Sequence, residues 1–246
     1  MSVKTVSRST PNSKYSSHGC VDQVSRLRSE IAPIEHMAEP DERLIMAHDP
    51  YDPRYETVRA LRTELLLRRE SIDHADIVAM LSPCPGEGRS LLAADLAIAF
   101  AQMGRPTLLV DADLRRPQQH LLFGIDNRQG LSQAIEYGAT PQLNTVRGFP
   151  RMSVLTAGEV PDNPLELLSS GAFASLIDDW RGNFAFVVID TPPVIHYSDA
   201  LAVASLVGRV LALSRAQHTP YKDMQDMLRR LAVTRSQVLG AVISHF

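Results

Sequence analysis

Residues 83–91, which read Pro-Cys-Pro-Gly-Glu-Gly-Arg-Ser-Leu, have the residue types and spacing to bind phosphate. They follow an apolar run at residues 77–81 and precede another apolar stretch, which predicts a strand, a turn and a helix start. Backbone N–H groups in such a turn can point at an anion, and the helix N-terminus adds partial positive charge. We therefore expect the phosphates of a nucleotide to be bound by Pro85, Gly86, Glu87, Gly88, Arg89, Ser90 and Leu91.

The stretch departs in two places from the phosphate-loop pattern G-x-x-x-x-G-K-[ST]. Pro83 stands at the position of the first glycine, and Arg89 stands at the position of the lysine. Arginine keeps the positive charge, but its planar fork differs in reach and geometry from a compact ammonium group. Taken alone, the stretch also fits an ordinary Gly/Pro turn between a strand and a helix, so the decision depends on residues further along the chain.

Two further polar turns follow apolar runs that are typical of strands. Asp111 and Asp113 come directly after residues 107–110 and lead into Arg115 and Arg116, and Asp190 comes directly after residues 186–189. Ligands of open α/β sheets bind at the carboxyl ends of the strands, so we expect these turns and the phosphate loop to share one edge. The three turns together are far more specific for a nucleotide site than any one of them.

The chemistry that fits these residues is phosphoryl transfer, which needs held phosphates, a metal ion and an oriented nucleophile. Arg89 and the loop N–H groups would hold phosphates, while Ser90 and Asp190 would position the Mg²⁺ of ATP. Asp111 or Asp113 would orient the attacking hydroxyl, a choice that the sequence leaves open, and each also fits a turn or cap residue. The predicted catalytic residues are thus Asp111, Asp113 and Arg89, and the predicted metal ligands are Ser90, Asp111 and Asp190.

Strands and helices alternate along the chain, which predicts an α/β fold. We expect a P-loop NTPase-like, mostly parallel sheet flanked by helices, in an arrangement that resembles MinD and ParA. The predicted strands are residues 77–81, 107–110, 152–155, 186–189, 210–213 and 238–243. The predicted helices are residues 54–69, a helix that follows the phosphate loop and ends near residue 104, and residues 118–123, 131–137, 166–168, 172–180 and 219–232.

Composition narrows the function classes. The 246 residues are 44% hydrophobic, and 25 basic and 28 acidic side chains give a net charge of −3, which provides no general attraction for nucleic acid. The longest apolar stretch, residues 200–213, contains Arg209 and is shorter than the roughly 18 residues of a spanning helix. The N-terminus lacks the apolar core of a secretory signal. We expect a cytoplasmic protein, in which any link to the inner face of the membrane would go through a partner.

The domain organisation predicted from the sequence is a flexible N-terminal tail at residues 1–44, with a short helix near residues 21–31, followed by one P-loop domain at residues 45–246. On the predicted helix at residues 54–69, Glu56, Arg59 and Arg62 recur every three residues. Such a run fits either a solvated charged face or a contact between subunits.

On these motifs the chain resembles the bacterial tyrosine kinases (BY-kinases) of capsule and exopolysaccharide loci over about residues 45–246, and it is most similar to chain-length-determinant kinases. The resemblance is carried by the phosphate loop and by residues 111–117, 163–168 and 190–193. It implies ATP-dependent autophosphorylation on tyrosine, a homo-oligomeric ring formed through Glu56, Arg59 and Arg62, and a membrane-embedded chain-length determinant, or polysaccharide co-polymerase, as partner. The implied output is control of exopolysaccharide chain length and export.

Two departures from the family leave other hypotheses open. No tyrosine cluster follows the last predicted strand, so the phosphoacceptor is undetermined, and Arg89 replaces the loop lysine. The alternative is a nucleotide-binding assembly regulator of the export machinery with little kinase activity. A third hypothesis is a ParA/MinD-type ATPase, but those proteins have a further lysine near the start of the loop, where this chain has Ser82, Pro83 and Cys84.

Overall fold

The computed structural model describes residues 39–68 and 75–245, which contain a seven-stranded sheet. Its order is β3-β4-β2-β5-β1-β6-β7, with β3 antiparallel to β4 and every other pair parallel. The predicted mostly parallel α/β fold is therefore confirmed. The strands are β1 (Asp76–Leu81), β2 (Thr107–Asp111), β3 (Asn144–Val146), β4 (Phe149–Leu155), β5 (Phe186–Asp190), β6 (Arg209–Arg215) and β7 (Gln237–Ser244).

Helices cover both faces of the sheet. The described helices are α1 (Ile45–His48), α2 (Pro53–Leu67), α3 (Arg89–Ala101), α4 (Gln119–Phe123), α5 (Leu131–Tyr137), α6 (Pro164–Leu168), α7 (Gly171–Asn183), α8 (Asp199–Val207) and α9 (Tyr221–Ala232). None of the helices in the described part of the chain has both the length and the apolar character needed to cross a bilayer.

The central strands are buried on both faces, as a parallel sheet requires. Every residue of β1, β2 and β5 is buried. Successive side chains of a strand point to opposite faces, so Val78 and Met80 pack with α1–α4, whereas Ala79 and Leu81 pack with α5–α9. Two hydrophobic layers thus hold the sheet in place and leave its strand ends free to carry polar turns.

The strand order brings the three predicted turns together. Strand β5 lies between β1 and β2, and Asp190 at its end is in register with Asp111 of β2 and with Met80 of β1. Because β1 runs into the phosphate loop, the loop and both aspartate turns leave neighbouring strands at the same edge. This confirms the predicted juxtaposition.

Three elements were not predicted from the sequence. Helix α8 reads Asp-Ala-Leu-Ala-Val-Ala-Ser-Leu-Val, which has almost no polar face and so shows no helical alternation of polar and apolar residues. Strand β3 has three residues and α1 has four, too few for a periodic pattern. All three are stabilised by packing on their neighbours, which local sequence does not report.

Residues 41–46 pack against the P-loop domain. The N–H of Asp41 donates to the carbonyl of Leu122 at 2.7 Å, Leu44 is fully buried, and the N–H of Met46 donates to the Asp95 carboxylate at 2.9 Å. The packed part of the chain therefore includes the last residues of the segment predicted as a tail. The helix predicted near residues 21–31 lies outside the described residues.

Candidate active site

The phosphate loop is a tight turn that two glycines make possible. Gly86 and Gly88 have φ angles of 76° and 84°, a left-handed conformation that costs little only for glycine. The buried Glu87 side chain accepts hydrogen bonds from the N–H of Cys84, at 2.9 Å, and from the Thr219 hydroxyl. The Glu87 carboxylate therefore stabilises the turn by linking Cys84 to Thr219. The residues of the turn line the cleft.

Arg89 lies at the start of α3 and points into the protein. Its Nε donates to Asp190 Oδ1 at 3.0 Å, one Nη donates to Ser82 Oγ at 2.7 Å, and the other lies 3.5 Å from Asp113 Oδ2. The guanidinium thus links all three strand-end turns. A lysine ammonium also has three N–H donors, but they sit on one nitrogen and rotate together, so it could not reach three acceptors spread around a planar guanidinium.

Asp111 is fully buried and held by backbone donors. Its Oδ1 accepts from the N–H of Asp113 at 3.1 Å, and its Oδ2 accepts from the N–H groups of Gln118 and Gln119, both at 2.9 Å. Burial, reinforced by the neighbouring Asp190 carboxylate, raises the pKa of Asp111 well above its ordinary value. The side chain fixes the turn and the beginning of α4, and it does not line the cleft.

Asp113 faces the cleft and is almost fully buried. Its Oδ1 accepts from the N–H groups of Arg115, at 3.2 Å, and Arg116, at 3.0 Å, while Oδ2 is near Arg89. Burial raises the pKa of Asp113, and the Asp190 carboxylate adds to the rise, while the backbone donor and Arg89 oppose it. Of the two aspartates between which the sequence could not choose, Asp113 is the one that a substrate can reach.

A cleft of about 590 Å³ opens in front of these groups. All seven predicted loop residues, 85–91, line it together with Asp113, so the structure brings the predicted phosphate-binding and catalytic residues to one cavity. Asp190 lies beneath the floor of the cleft and reaches it through Arg89. The predicted site residues are thus grouped as expected, except that Asp111 and Asp190 stand behind the lining residues.

Several residues of the cleft wall carry no sequence signal. Arg43 lies forty residues before the phosphate loop and reaches the cleft only because the segment around it packs on α3 and α4. Tyr197 comes from the loop before α8, and Arg215 is the last residue of β6. The Arg115 guanidinium makes two bonds to the buried Asp199 carboxylate, at 3.1 and 3.3 Å, and stacks 4.1 Å from the centre of the Tyr197 ring. The Arg115 guanidinium is therefore held in one orientation in the wall of the cleft.

The residues of the floor fit a divalent cation. The buried Asp113 and Asp190 carboxylates pair with the guanidinium of Arg89, and the buried Asp111 carboxyl group lies beside Asp190. In the described residues no three His, Cys, Asp or Glu side chains form a ready metal cage. Magnesium seldom uses such cages and keeps waters while it binds one or two protein oxygens and substrate phosphates. The Ser90 hydroxyl, which lines the cleft, and Asp190 are the oxygens suited to hold it.

Cys84 in the loop is not set up as a reactive thiol. Burial and then the neighbouring Asp223 carboxylate, 3.5 Å from the sulfur, raise the pKa of the Cys84 thiol to about 11. Reactive thiols require a lowered pKa. Cys84 therefore fills space between the loop and α9.

The charged residues predicted on α2 divide into two groups. Glu56 and Arg59 form an exposed ion pair with a distance of 2.8 Å. Arg62 is half-buried and donates to the carbonyl of Ala99, in the last turn of α3, at 2.9 Å. The Glu56–Arg59 pair is thus available at the surface, and Arg62 ties α2 to the helix that begins at the phosphate loop.

Comparison with known families agrees with the predicted family and fold. The family model of ParA, described as NUBPL iron-transfer P-loop NTPase, matches residues 73–244. The chain is 34% identical over 204 residues to tyrosine-protein kinase YwqD of Bacillus subtilis, covering 82% of this chain and 85% of YwqD. It is 32% identical over 199 residues to tyrosine-protein kinase etk of Escherichia coli K12, of which it spans 27%.

Solved structures give the same result. The chimerical protein CapA2B2 has a TM-score of 0.78 at 32% identity over 92% of this chain and 98% of that chain. The kinase domain of Escherichia coli tyrosine kinase ETK has a TM-score of 0.77 at 30% identity over 89% of this chain and 86% of that one. MinD of Pyrococcus horikoshii is 20% identical with a TM-score of 0.59 over 69% of this chain and 70% of that one, which shows the fold alone. The chain therefore belongs to the bacterial tyrosine-protein kinases, built on the P-loop NTPase fold of the ParA type.

Proposed function

We propose that this tyrosine kinase transfers a phosphoryl group from ATP, bound with Mg²⁺, to tyrosine, including tyrosines of its own chain. The family implies a nucleotide and a divalent metal, and the cleft supplies a place for both. The single observation that carries the proposal is the meeting of Arg89, Asp113 and Asp190 at the floor of the phosphate-loop cleft.

Asp113 is the proposed general base. Its carboxylate lines the cleft, and a raised pKa brings it nearer to the working pH, where a base is most effective. Its Oδ1 is fixed by two backbone N–H groups, so Oδ2 is the oxygen that would accept the proton of a tyrosine hydroxyl. Asp111 would serve as the brace of this turn, because its own oxygens are occupied by three N–H groups.

Arg89, the loop backbone and Ser90 would hold the phosphates. In the present arrangement Arg89 is paired with Asp190 and Asp113, so it would have to exchange these carboxylates for the phosphates of the nucleotide. Bound Mg²⁺ would neutralise charge on the phosphate oxygens. Ser90 and Asp190 are the residues that would position it.

The biological role follows from the resemblance described above. We propose that the kinase acts at the inner face of the membrane with a membrane-embedded chain-length determinant, and that it controls exopolysaccharide chain length and export. A homo-oligomeric ring would form through α2, where the exposed Glu56–Arg59 pair supports a subunit contact. Arg62 would take part through its link to α3. The proposed P-loop domain, placed at residues 45–246 from the sequence, extends back at least to Asp41, which bonds to Leu122. Tyr15, outside the described residues, is a candidate acceptor.

One observation favours the second hypothesis, a nucleotide-binding regulator with weak transfer. The guanidinium that replaces the loop lysine is already paired with two carboxylates, and phosphate binding must compete with them. Such competition would lower turnover without preventing binding. The ParA/MinD hypothesis has less support, because the relatives above 30% identity are named tyrosine kinases.

The test is incubation of the purified chain with MgATP, alone and with a cytoplasmic peptide of the chain-length determinant, followed by intact mass and phosphosite mapping. We expect phosphate on tyrosine in the parent and a loss of at least about a hundredfold in Asp113→Asn with retained nucleotide binding. Asp126→Asn, an exposed carboxylate remote from the cleft lining, is the matched control and should match the parent. Nucleotide binding without phosphate in the parent would support the regulator.

A further inference from the structure

Gln119 is a buried amide beneath the floor of the cleft, where it contacts Ser90 and Asp190, and no motif singles it out. It is the first residue of α4 and is fully buried. Its Nε2 donates to Asp190 Oδ2 at 2.9 Å and to the carbonyl of Ser90 at 3.1 Å, and its backbone N–H donates to Asp111. One side chain therefore contacts two of the residues proposed to position the metal ion, and its backbone holds the third predicted ligand.

The orientation of the amide is decided by its partners. A carboxylate and a backbone carbonyl can only accept hydrogen bonds, so the atom between them must be the NH₂ group of Gln119. The other end, Oε1, is then buried and has no hydrogen-bond partner among the described residues. Buried acceptors without a donor are rare, so the Oε1 of this amide, which contacts Ser90 and Asp190 through its NH₂ group, is suited to accept a hydrogen bond from a bound water molecule.

Gln119 and Arg89 together fix the plane of the Asp190 carboxylate. Arg89 Nε binds Oδ1 at 3.0 Å, and Gln119 Nε2 binds Oδ2 at 2.9 Å. Each oxygen therefore has its own donor, and the carboxylate cannot rotate without breaking one of them. If bound phosphates draw Arg89 away, the hydrogen bond from Gln119 is the one that continues to orient Asp190.

We propose that Gln119 is a positioning residue of the nucleotide and metal site, an inference that rests on the proposed function. Its NH₂ group orients the Asp190 carboxylate and the carbonyl of Ser90, and its Oε1 accepts a hydrogen bond from a water molecule that enters with the divalent metal ion. The effect of Gln119 on nucleotide affinity therefore depends on the metal, whereas an ordinary structural contact would affect binding with and without metal alike.

The experiment measures ADP affinity of the full chain by calorimetry in saturating Mg²⁺ and in EDTA. Gln119→Met keeps the length of the side chain and removes both polar atoms. We expect it to lower the affinity for ADP in Mg²⁺ by about tenfold or more, the usual effect of losing a residue that orients a metal ligand, and to leave the affinity in EDTA unchanged. Gln119→Asn, whose shorter amide cannot reach both partners, should act in the same direction and serves if the methionine variant folds poorly.

Gln102→Met is the matched control. Gln102 follows the last residue of α3, at the end away from the phosphate loop, and its Nε2 donates to the carbonyl of Met46 at 3.0 Å. This variant should bind ADP as the parent does under both conditions. Unchanged ADP affinity in Gln102→Met would show that losing a glutamine hydrogen bond elsewhere in the protein does not weaken ADP binding.

Three results would contradict the expectation in distinguishable ways. A parent that binds ADP equally with Mg²⁺ and with EDTA would overturn the proposed metal site and the role of Gln119 with it. A metal-dependent parent whose affinity survives Gln119→Met and Gln119→Asn unchanged would overturn the role of Gln119 alone. Equal losses with Mg²⁺ and EDTA in folded variants would show a structural contact and would also overturn it.

Discussion

The cleft and helix α2 each contain an arginine paired with a carboxylate at about the same distance, yet the two pairs differ in their surroundings. Arg89 meets Asp190 at 3.0 Å with side chains that are 8% and 0% exposed, whereas Arg59 meets Glu56 at 2.8 Å with side chains that are 47% and 70% exposed. The distance between partners is therefore a poor guide to what a pair does. Burial decides it.

Burial means that forming the Arg89–Asp190 pair requires the desolvation of two charges, and that removing one partner strongly destabilises the fold. Removing one partner of a buried pair leaves an uncompensated charge in a low dielectric, at about 3–5 kcal/mol, whereas exposed pairs contribute about 0.2–1 kcal/mol. The cleft therefore holds charge in a fixed place, as a phosphoryl-transfer site must. The α2 pair contributes little to the fold and remains available for a contact with another subunit.

The largest effect is expected for Arg89→Met. It leaves the Asp190 and Asp113 carboxylates without their cation, so the free energy of unfolding at neutral pH should fall by about 3 kcal/mol in urea titrations followed by circular dichroism. The loss should shrink toward acid pH, because protonated carboxyl groups need no partner. Arg59→Met, the same change in an exposed pair, should cost less than about 1 kcal/mol. Equal losses of unfolding free energy in the two variants would show that burial does not set the contribution of these ion pairs.

Asp95 extends the comparison to a buried carboxylate that forms no ion pair with an arginine of the described residues. Burial raises its pKa to about 6, partly offset by the N–H groups of Met46 and Ile45. Because the folded pKa lies above the ordinary value of 3.8, the protonated form favours the folded state, and this stabilisation is lost as the pH rises through about 6. Relative to Asp95→Asn, the parent should lose about 1–3 kcal/mol of unfolding free energy between pH 4 and 7.

The matched control is Asp126→Asn. Hydrogen bonds from the Arg128 side chain and backbone lower the pKa of the exposed Asp126 to about 2, so its contribution has the opposite sign and is lost only at lower pH. Urea titrations at several pH values measure both variants. A pH profile for Asp95→Asn that runs parallel to the parent would show that Asp95 is not the group with the raised pKa.

Cys84 tests whether the cleft loop shields its side chains. With the pKa of its thiol raised to about 11 by burial and then by Asp223, the thiolate is scarce at pH 8. We expect iodoacetamide to alkylate Cys84 at least about tenfold more slowly than a free cysteine, in a Cys20→Ser background that leaves one thiol. Asp223→Asn should accelerate the reaction. Alkylation at the rate of a free thiol would mean that the loop is open to solvent.

Glu56→Ala should change the free energy of unfolding least of all these variants, but it should affect the assembly of subunits. The exposed pair contributes at most about 0.5 kcal/mol between residues three apart on a helix. If α2 forms a subunit contact, light scattering should nevertheless show a smaller particle for Glu56→Ala with Arg59→Ala. An unchanged mass, at unchanged stability, would make the pair a solvated face.

Much of the fold could be predicted because its signals are local. The continuous apolar runs of β1, β2 and β5 and the polar turns that end them are visible in the sequence, and the rule for ligands at strand ends places them together. Helix α8 was not predicted because its partly exposed side carries mainly leucine and alanine, so no polar face marks it in the sequence. Its assignment requires knowledge of the helices and strands around it.

The candidate site was predictable by residue type and less so by role. The pattern assigned Arg89 to phosphates, but its bonds to Ser82, Asp113 and Asp190 depend on three strands meeting. The choice between Asp111 and Asp113 depends on which carboxylate the backbone N–H groups enclose. Arg43 and Gln119 belong to no motif and enter the site through packing. Sequence spacing names the groups that can react, and tertiary contacts decide which atoms are accessible.

The hydrogen bond from Arg62 to the carbonyl of Ala99 has a mechanical consequence. Helix α3 is a rod of about 20 Å that starts at the phosphate loop and ends beside this arginine. A force applied to α2 by a neighbouring molecule therefore acts on the far end of the same rod whose near end carries Arg89 and Ser90. A subunit contact on α2 and a nucleotide in the cleft would therefore act on opposite ends of the same helix, α3.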